Sequence, residues 1–294
     1  MKEILLLVNR HLRIYFSSLS NIFFTLLSNL ISIGVYVLFL FDNSLDSFVS
    51  ALPSNQVNNA SILMLLFLIA GQIMVMIISA SLANLDLIIQ DTQYTGSDMS
   101  VWPISKTKVM ISYIIQAVII TVGFAIITLG VGLGYVYVRY SYYLPVISII
   151  KIILLIIASS IFASLVAMLV TTFIKTSQAY VSFTTIINTL SGFLLGIYIP
   201  IGLLPVFVQR IVLVNPYFNY MYLFRNIMMG DIINTTFDGV SSVVKNQVLE
   251  TFGLAFSESV QLLSLDYLPI VMSITLILVL VLTLILFKRK QIVR

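Results

Sequence analysis

The chain has 294 residues, of which 60% are hydrophobic and 9% are charged, and its formal net charge is +4. Because soluble domains are about half apolar and about a quarter charged, this composition excludes a water-soluble enzyme. The sequence contains no cysteine and a single histidine, which excludes disulfides, thiolate chemistry and histidine-based zinc sites.

The charged residues are separated by long uncharged stretches. Six of these stretches reach the ~20 residues that a helix needs to cross a ~30 Å hydrocarbon core. They predict an all-α polytopic membrane protein that forms one transmembrane domain over residues 1–294. The predicted spans cover about 21–41, 60–83, 109–138, 152–174, 179–200 and 267–287.

Residues 1–17 predict an amphipathic helix that lies in the membrane interface. Charged and polar residues share one face of this helix, and apolar residues cover the other. The apolar run after Lys2 is too short for the core of a cleaved signal peptide. His11 falls within the apolar arc, where we expect it to face the lipid headgroups without titrating.

The distribution of lysine and arginine predicts the orientation. With six crossings and a cytoplasmic N-terminus, most of these basic residues lie on the cytoplasmic side. Both termini are therefore expected in the cytoplasm, and the absence of cysteine suits a bacterial plasma membrane. The basic residues at the ends of the spans are explained by the orientation of the chain in the membrane, so no nucleic-acid partner is expected. Residues 139–151 predict a tight outer turn rich in tyrosine.

The polar stretch 84–108 between the second and third spans predicts a cytoplasmic docking element. Gly96 permits a turn, and Pro103 starts the next helix. Met99 and Trp102 offer an apolar edge of the kind that fills a partner's cleft, with charges such as Asp91 at the rim. A loop with an aromatic interface anchor is the alternative, and the stretch alone does not decide between them.

Residues 201–266 predict an extracellular region. Two apolar pieces, 204–214 and 217–229, flank Asn215-Pro216 and are too short to span a bilayer. They predict a re-entrant helical hairpin between the fifth and sixth spans, from which Arg210 and Arg225 extend to the headgroups. Residues 231–266 look polar and soluble.

Polar and small residues inside the spans are candidates for the substrate pathway or for helix packing. The fifth span carries a stripe at helical spacing, in which Gly192 and Gly196 permit close approach of another helix. The candidates are Asn29 in the first span and Thr185, Asn188, Thr189, Gly192 and Gly196 in the fifth.

Together these stretches resemble the permease subunits of ATP-binding-cassette exporters of the second type. The family's coupling-helix pattern is matched by Asp91, Gly96, Pro103, Ile104 and Ser105, and its hairpin pattern by Pro205, Asn215, Pro216, Arg225 and Gly230. The chain departs from the family pattern where a serine follows Gly96 in place of threonine. Its polar segment 231–266 is also longer than in the smallest members.

The resemblance implies an export channel formed by two permease subunits, identical or different, in the lipid bilayer. A separate cytosolic ATPase subunit would bind ATP and Mg²⁺, so this chain would hold no cofactor and would not itself be an enzyme. No glycine is followed by lysine, so the chain lacks a phosphate-binding loop. The resemblance implies coupling to the ATPase through Asp91, Gly96, Met99, Trp102 and Pro103.

The expected cargo is amphipathic or lipid-like: a drug, an antimicrobial peptide or a lipid-linked molecule. No residue selects among these. Two alternatives remain open, a secondary transporter and an integral membrane lipid-modifying enzyme. Uncharged spans count against ion coupling, and an enzyme would need a carboxylate or histidine cluster at one interface. The dense acidic group that comes nearest to one is Asp231, Asp238, Glu250, Glu258 and Asp266.

Overall fold

The computed structural model describes residues 2–35, 57–94, 104–237, 241–256 and 267–290. These residues are mostly α-helical and contain no β-strand, which confirms the predicted all-α class. The helices are α1 (Lys2–Ser17), α2 (Leu19–Val35), α3 (Val57–Tyr94), α4 (Lys106–Tyr140), α5 (Val146–Phe173), α6 (Ser177–Leu194), α7 (Val206–Val214), α8 (Pro216–Thr236), α9 (Ser242–Thr251) and α10 (Leu268–Lys290).

Four helices of the described chain are long and apolar enough to cross a membrane. Their apolar stretches are Asn59–Gln93, Lys106–Tyr140, Val146–Phe173 and Leu268–Phe287. α2 and α6 correspond to the predicted first and fifth spans but have only 17 and 18 residues. Residues 36–41 of the first predicted span lie outside the described residues. The chain is therefore a multi-pass membrane protein, and the count of six spans stays a prediction.

α3 lies at the centre of the bundle and α10 at its edge. The most apolar part of α3 is 94% buried, because α2, α4, α5, α6 and α8 all pack against it. The corresponding part of α10 is 11% buried and packs mainly on α5. The exposed isoleucine and leucine side chains of α10 suit contact with lipid.

α1 packs along α4 and presents two different apolar faces. Leu7, Val8 and Tyr15 are buried against the bundle, whereas Leu5 and Phe16 remain exposed. The charged side chains occupy the remaining arc of the helix. An exposed apolar strip beside a charged arc is typical of a helix at a membrane surface, which is the predicted location of α1.

Two helices extend beyond the apolar stretches from which their bounds were predicted. α3 continues to Tyr94, so the first part of the predicted loop 84–108 is helix. α5 begins at Val146, directly after Pro145, and Lys151 lies inside it. The turn predicted over 139–151 is therefore confined to 141–145, since a single lysine does not end a helix.

The chain reverses direction after α6. This helix ends at Leu194, before the predicted bound of 200. Residues 195–204, which include a short 3-10 helix at Ile201–Leu203, form a segment that we call the reversal. α8 packs on α3 and α5 and buries Phe218, Phe224 and Met228 completely. It is a core element of the described chain, longer than the predicted piece 217–229.

The described part of the predicted polar segment 231–266, residues 231–237 and 241–256, contains helix and several buried side chains. It contains the last turn of α8 and all of α9. Val248 of α9 and Phe252, the residue directly after α9, are buried. The Phe252 ring makes an edge contact with Phe67 of α3 at 5.5 Å between ring centroids. Two aromatic residues thus hold α9 on the bundle.

Candidate functional site

Polar contacts join α1 to α3 and α4 at one end of the bundle, which we call the α1 end. Nη1 of Arg10 donates to Oδ2 of Asp91 at 3.0 Å, and the Tyr113 hydroxyl donates to the same oxygen. The His11 ring stacks on Tyr113, with centroids 4.0 Å apart. We call Arg10, His11, Asp91 and Tyr113 the α1 junction. Three helices therefore converge on one carboxylate.

Further contacts extend this connection to the neighbouring helices. Nζ of Lys108 in α4 lies 2.8 Å from Oε2 of Glu3 in α1. The Ser177 hydroxyl at the start of α6 donates to Asp86 of α3 at 2.8 Å, and the Tyr180 hydroxyl donates to the Leu82 carbonyl at 2.9 Å. The C-terminal part of α3 is thereby tied to α1, α4 and α6 together.

His11 does not face the headgroups as predicted. It is completely buried, because the α1 surface that carries it packs on α4. Burial, with the charged Arg10 beside it, lowers the pKa of His11 to about 4, although the Asp91 carboxylate opposes this shift. The groups that face the imidazole are thus Arg10 on α1, Asp91 on α3 and Tyr113 on α4.

Acidification is expected to loosen α1. A free histidine gains a proton near pH 6.5, whereas docked His11 stays neutral down to about pH 4. The stability that neutral His11 contributes to docking is therefore fully present above about pH 7 and is lost as the pH falls through this window. Spin labels at Asn9→Cys and Gln178→Cys, both exposed positions at the α1 end, would report the distance between α1 and α6.

We expect this distance distribution to broaden between pH 7.5 and pH 5. His11→Phe keeps a ring for Tyr113 but cannot gain a proton, so its distribution should not change with pH. If the distance distribution of His11→Phe broadened equally, the pH dependence would come from titratable groups other than His11.

The structure describes one of the five predicted coupling residues. Asp91 lies in the last turn of α3 and belongs to the α1 junction. Gly96, Met99, Trp102 and Pro103 lie outside the described residues, so their role stays a prediction. The nine residues between Tyr94 and Ile104 begin directly after the junction.

α6 presents hydroxyl groups on an exposed face. Thr185 and Thr189 are exposed, and each donates its hydroxyl hydrogen to a carbonyl one turn earlier in the helix. Asn188 is partly buried, and its Oδ1 has no hydrogen-bond partner among the described residues. The lone pairs of the two exposed threonine oxygens remain available to accept hydrogen bonds, whereas Oδ1 of Asn188 is itself buried. Asn29 lies on α2, where the structure does not describe its side chain.

The predicted small-residue stripe does not extend to Gly196. Gly196 lies after the helix, in the reversal, with a left-handed φ of +63°. A Cβ on Gly192 would lie 2.1 Å from Cε2 of Tyr198. Within the chain, the protein's own Tyr198 occupies the space beside Gly192, whereas the assignment of Gly192 and Gly196 to a subunit interface or to the substrate pathway stays a prediction.

Gly192→Ala is expected to destabilise the reversal. The added methyl displaces the Tyr198 ring, an overpacking that costs about 1–3 kcal/mol. Thermal unfolding in detergent measures the loss, and Gly134→Ala is the control because its Cβ would meet no atom within 4 Å. In a Tyr198→Ala background the same change should cost much less. An undiminished cost there would indicate that Gly192 faces a second subunit.

The predicted hairpin residues fall into two groups. Pro205 and Asn215 precede α7 and α8, and Asn215 caps α8 by accepting from the Tyr217 N–H at 3.0 Å. Pro216 occupies the first turn of α8, where its missing N–H costs nothing. These three residues set helix starts.

Arg225 does not extend to the headgroups as predicted. It is completely buried in α8, and its Nη2 donates to the carbonyls of Leu195 and Gly196 at 3.3 and 3.2 Å. Its guanidinium carbon lies 3.5 Å from the centroid of the Phe67 ring. The side chain therefore points into the bundle.

Comparison with known families identifies the chain. Residues 42–288 match the family model described as ABC-2 family transporter protein. The chain belongs to the ABC-2 transporter family. A search of curated proteins finds no match. Membership confirms the resemblance found in the sequence, and this ABC-2 chain is a permease component of an ABC transporter with several membrane-spanning helices.

Sequence reasoning missed three residues that shape the ABC-2 chain. Tyr113 and Phe67 each appear as one aromatic residue in an apolar span, and nothing in the spacing reveals their polar and cationic partners. Gly202 lies in the reversal, where a Cβ would lie 2.5 Å from the Glu250 carbonyl oxygen of α9. Its position three residues before Pro205 was the signal of a tight turn.

The described part of the ABC-2 chain contains no group of three or more acidic, histidine or cysteine side chains that could hold a metal ion. Among the predicted outer acids, Asp231 is exposed on α8 and Glu250 is exposed on α9. Asp238, Glu258 and Asp266 lie outside the described residues.

Proposed function

We propose that this chain is the permease subunit of an ATP-driven exporter and that a separate cytosolic ATPase docks at the α1 end. The α1 junction carries this proposal. A membrane component without a phosphate-binding loop needs an external source of energy, and force must enter through a rigid contact. Here Asp91 fixes the last turn of α3 to α1 and α4, directly before the predicted coupling segment.

The proposed orientation places the α1 end in the cytoplasm and the reversal outside. Lys2, Arg10, Arg13, Lys106 and Lys108 all lie at the α1 end, which agrees with the positive-inside rule. Anionic headgroups and a cytosolic partner would both face this surface. A bacterial plasma membrane remains part of the proposal.

The proposed pathway borders the exposed face of α6. This helix packs mainly on α3, so its other face is open to a second permease subunit or to cargo. Hydroxyl oxygens on an otherwise apolar surface suit an amphipathic or lipid-like molecule, which needs few hydrogen bonds and a large apolar contact. A drug, an antimicrobial peptide and a lipid-linked molecule all fit this description.

Arg225 is a buried charge among the helices, but it gives no support to proton-coupled transport. An arginine side chain stays protonated at any physiological pH, so it cannot take up and release a proton during a cycle.

Gentle extraction of the tagged chain, followed by mass spectrometry, tests the proposal. We expect an ATPase subunit with a phosphate-binding loop to copurify in a fixed ratio. A chain that purifies alone or only with further copies of itself would contradict the proposal.

Charged residues in the predicted docking element should uncouple the complex. Met99→Glu with Trp102→Glu removes the apolar edge expected to fill the ATPase cleft, so transport should fall while ATP hydrolysis continues. Leu203→Glu, an exposed apolar residue in the reversal, is the matched control and should leave coupling intact. Retained transport in the double variant would contradict the role of residues 91–105.

A further inference from the structure

One buried side chain joins three separate parts of the fold at the end remote from α1. Arg225 belongs to α8, the carbonyls that accept its hydrogen bonds follow the last turn of α6, and the aromatic ring under its guanidinium belongs to α3. We call Arg225, Phe67 and the carbonyls of Leu195 and Gly196 the Arg225 latch. The charge is fully buried, so each contact carries a large electrostatic weight.

The polar half of the latch stabilises the end of α6. The C-terminal carbonyls of a helix carry partial negative charge, and a cation beside them is favourable. In most helices water or a capping residue satisfies these carbonyls. Here the guanidinium of α8 satisfies the two carbonyls that follow Leu194, so α6 cannot move away from α8 without leaving them unpaired.

The aromatic half of the latch connects the same charge to the core and to α9. Phe67 presents its face to Arg225 and meets the Phe252 ring edge to face. A desolvated cation over an aromatic face is worth more than an exposed one. Gly71, one turn further along α3, has no side chain, and a Cβ there would lie 2.6 Å from Cγ1 of Ile197 in the reversal and 3.8 Å from Nη2 of Arg225. The space that α3 leaves open at Gly71 is thus occupied by Ile197, and the guanidinium lies beside it at an ordinary contact distance.

We propose that Arg225 is a positioning residue for transport: it holds the outer end of α6 closed against α3 and α8, and its release accompanies opening of the pathway there. This inference rests on the proposed function, in which α6 borders the pathway. A guanidinium that is buried against carbonyls and an aromatic ring in one arrangement and hydrated in another favours two discrete arrangements over a continuous range. The latch therefore suits a gate with a closed and an open state.

The natural absence of cysteine permits a direct test. Leu194→Cys places a single thiol at the exposed last residue of α6, directly before the latched carbonyls. A membrane-impermeant maleimide, added to intact cells, then reports how often this position is open to the outside. The labelling rate is measured for the reporter alone and combined with Arg225→Met, Arg225→Lys or Phe67→Leu.

We expect Arg225→Met to raise the labelling rate on the order of tenfold, the factor that corresponds to one lost buried hydrogen bond to a charged group. Phe67→Leu keeps the hydrogen bonds but removes the aromatic face. Arg225→Lys keeps the charge but loses the planar guanidinium with its several N–H donors. Both variants should therefore give intermediate labelling rates. Arg210→Met, an exposed arginine of α7, is the matched control and should label like the reporter alone.

If Arg225→Met does not reach the membrane, the two milder variants carry the test. Labelling equal to that of the reporter in Arg225→Lys and Phe67→Leu would overturn the proposal. In the complex, Arg225→Lys should slow transport more than it slows ATP hydrolysis, whereas simple misfolding lowers both equally. Failure to recover an ATPase subunit with the wild-type chain would contradict the proposed function and leave the labelling result intact.

Discussion

Asp91→Ala is expected to release α1 from the bundle and to lower the transport rate on the order of tenfold. This factor corresponds to the free energy of the buried hydrogen bonds that are lost. The Tyr113 hydroxyl loses the acceptor it has in α3, and the Arg10 guanidinium loses its ion pair. The buried hydroxyl alone costs about 1–3 kcal/mol when it is left unpaired. Thermal unfolding in detergent and transport by the reconstituted complex measure the two effects.

A double-mutant cycle separates the pair from its surroundings. The side chains of Arg10 and Asp91 contact each other in the native protein. The double variant Arg10→Ala with Asp91→Ala should therefore lose less stability than the sum of the losses in the two single variants. Asp231→Ala, which removes an exposed carboxylate of α8, is the control and should leave both stability and transport unchanged. Strict additivity of Arg10→Ala and Asp91→Ala would contradict the α1 junction. Loss of function in Asp231→Ala with intact assembly would instead favour the membrane-enzyme alternative.

Gly202→Val is expected to displace α9 from the bundle. A Cβ at this position would lie 2.5 Å from the Glu250 carbonyl oxygen and 2.6 Å from the Thr251 Cα. Both atoms belong to the backbone, so no change of rotamer relieves the overlap, and either the reversal or the C-terminal turn of α9 must move. Overpacking of this kind costs about 1–3 kcal/mol or more. Thermal unfolding and protease cleavage within 241–256 measure the displacement.

Gly230→Ala provides the control because its Cβ would meet no atom within 4 Å, and alanine favours the helix in which it lies. We expect this variant to be as stable as the wild type or slightly more stable. A Gly202→Val protein with native stability and native protease resistance would show that α9 does not pack on the reversal.

Sequence reasoning found the helices but often misplaced their ends. Apolar runs located α4 and α10 within a few residues, because a lipid-facing helix must be apolar along its whole membrane length. The polar continuation of α3 to Tyr94 was missed, since an apolar run can end while the helix continues into water. The early end of α6 at Leu194 was missed because residues 195–200 are as apolar as the helix before them.

The candidate site was only partly predictable, for a different reason. Asp91 was found because it is polar in a stretch that follows an apolar span. The partners of Asp91 and Arg225 come from helices far apart in sequence, and no local spacing predicts which face of one helix meets another. His11 and Arg225 were expected at the headgroups because an isolated titratable or charged residue usually lies there. Tertiary contacts placed both in the interior.

The length of α3 has a mechanical consequence. Phe67 and Asp91 belong to one uninterrupted helix of 38 residues, and about 36 Å of helix axis separates them at 1.5 Å per residue. A helix without a proline or an irregular turn has no internal hinge, so it transmits axial displacement and twist between its ends. A displacement of α3 beside Asp91 would therefore reach the ring beneath Arg225 as a displacement of one rigid helix.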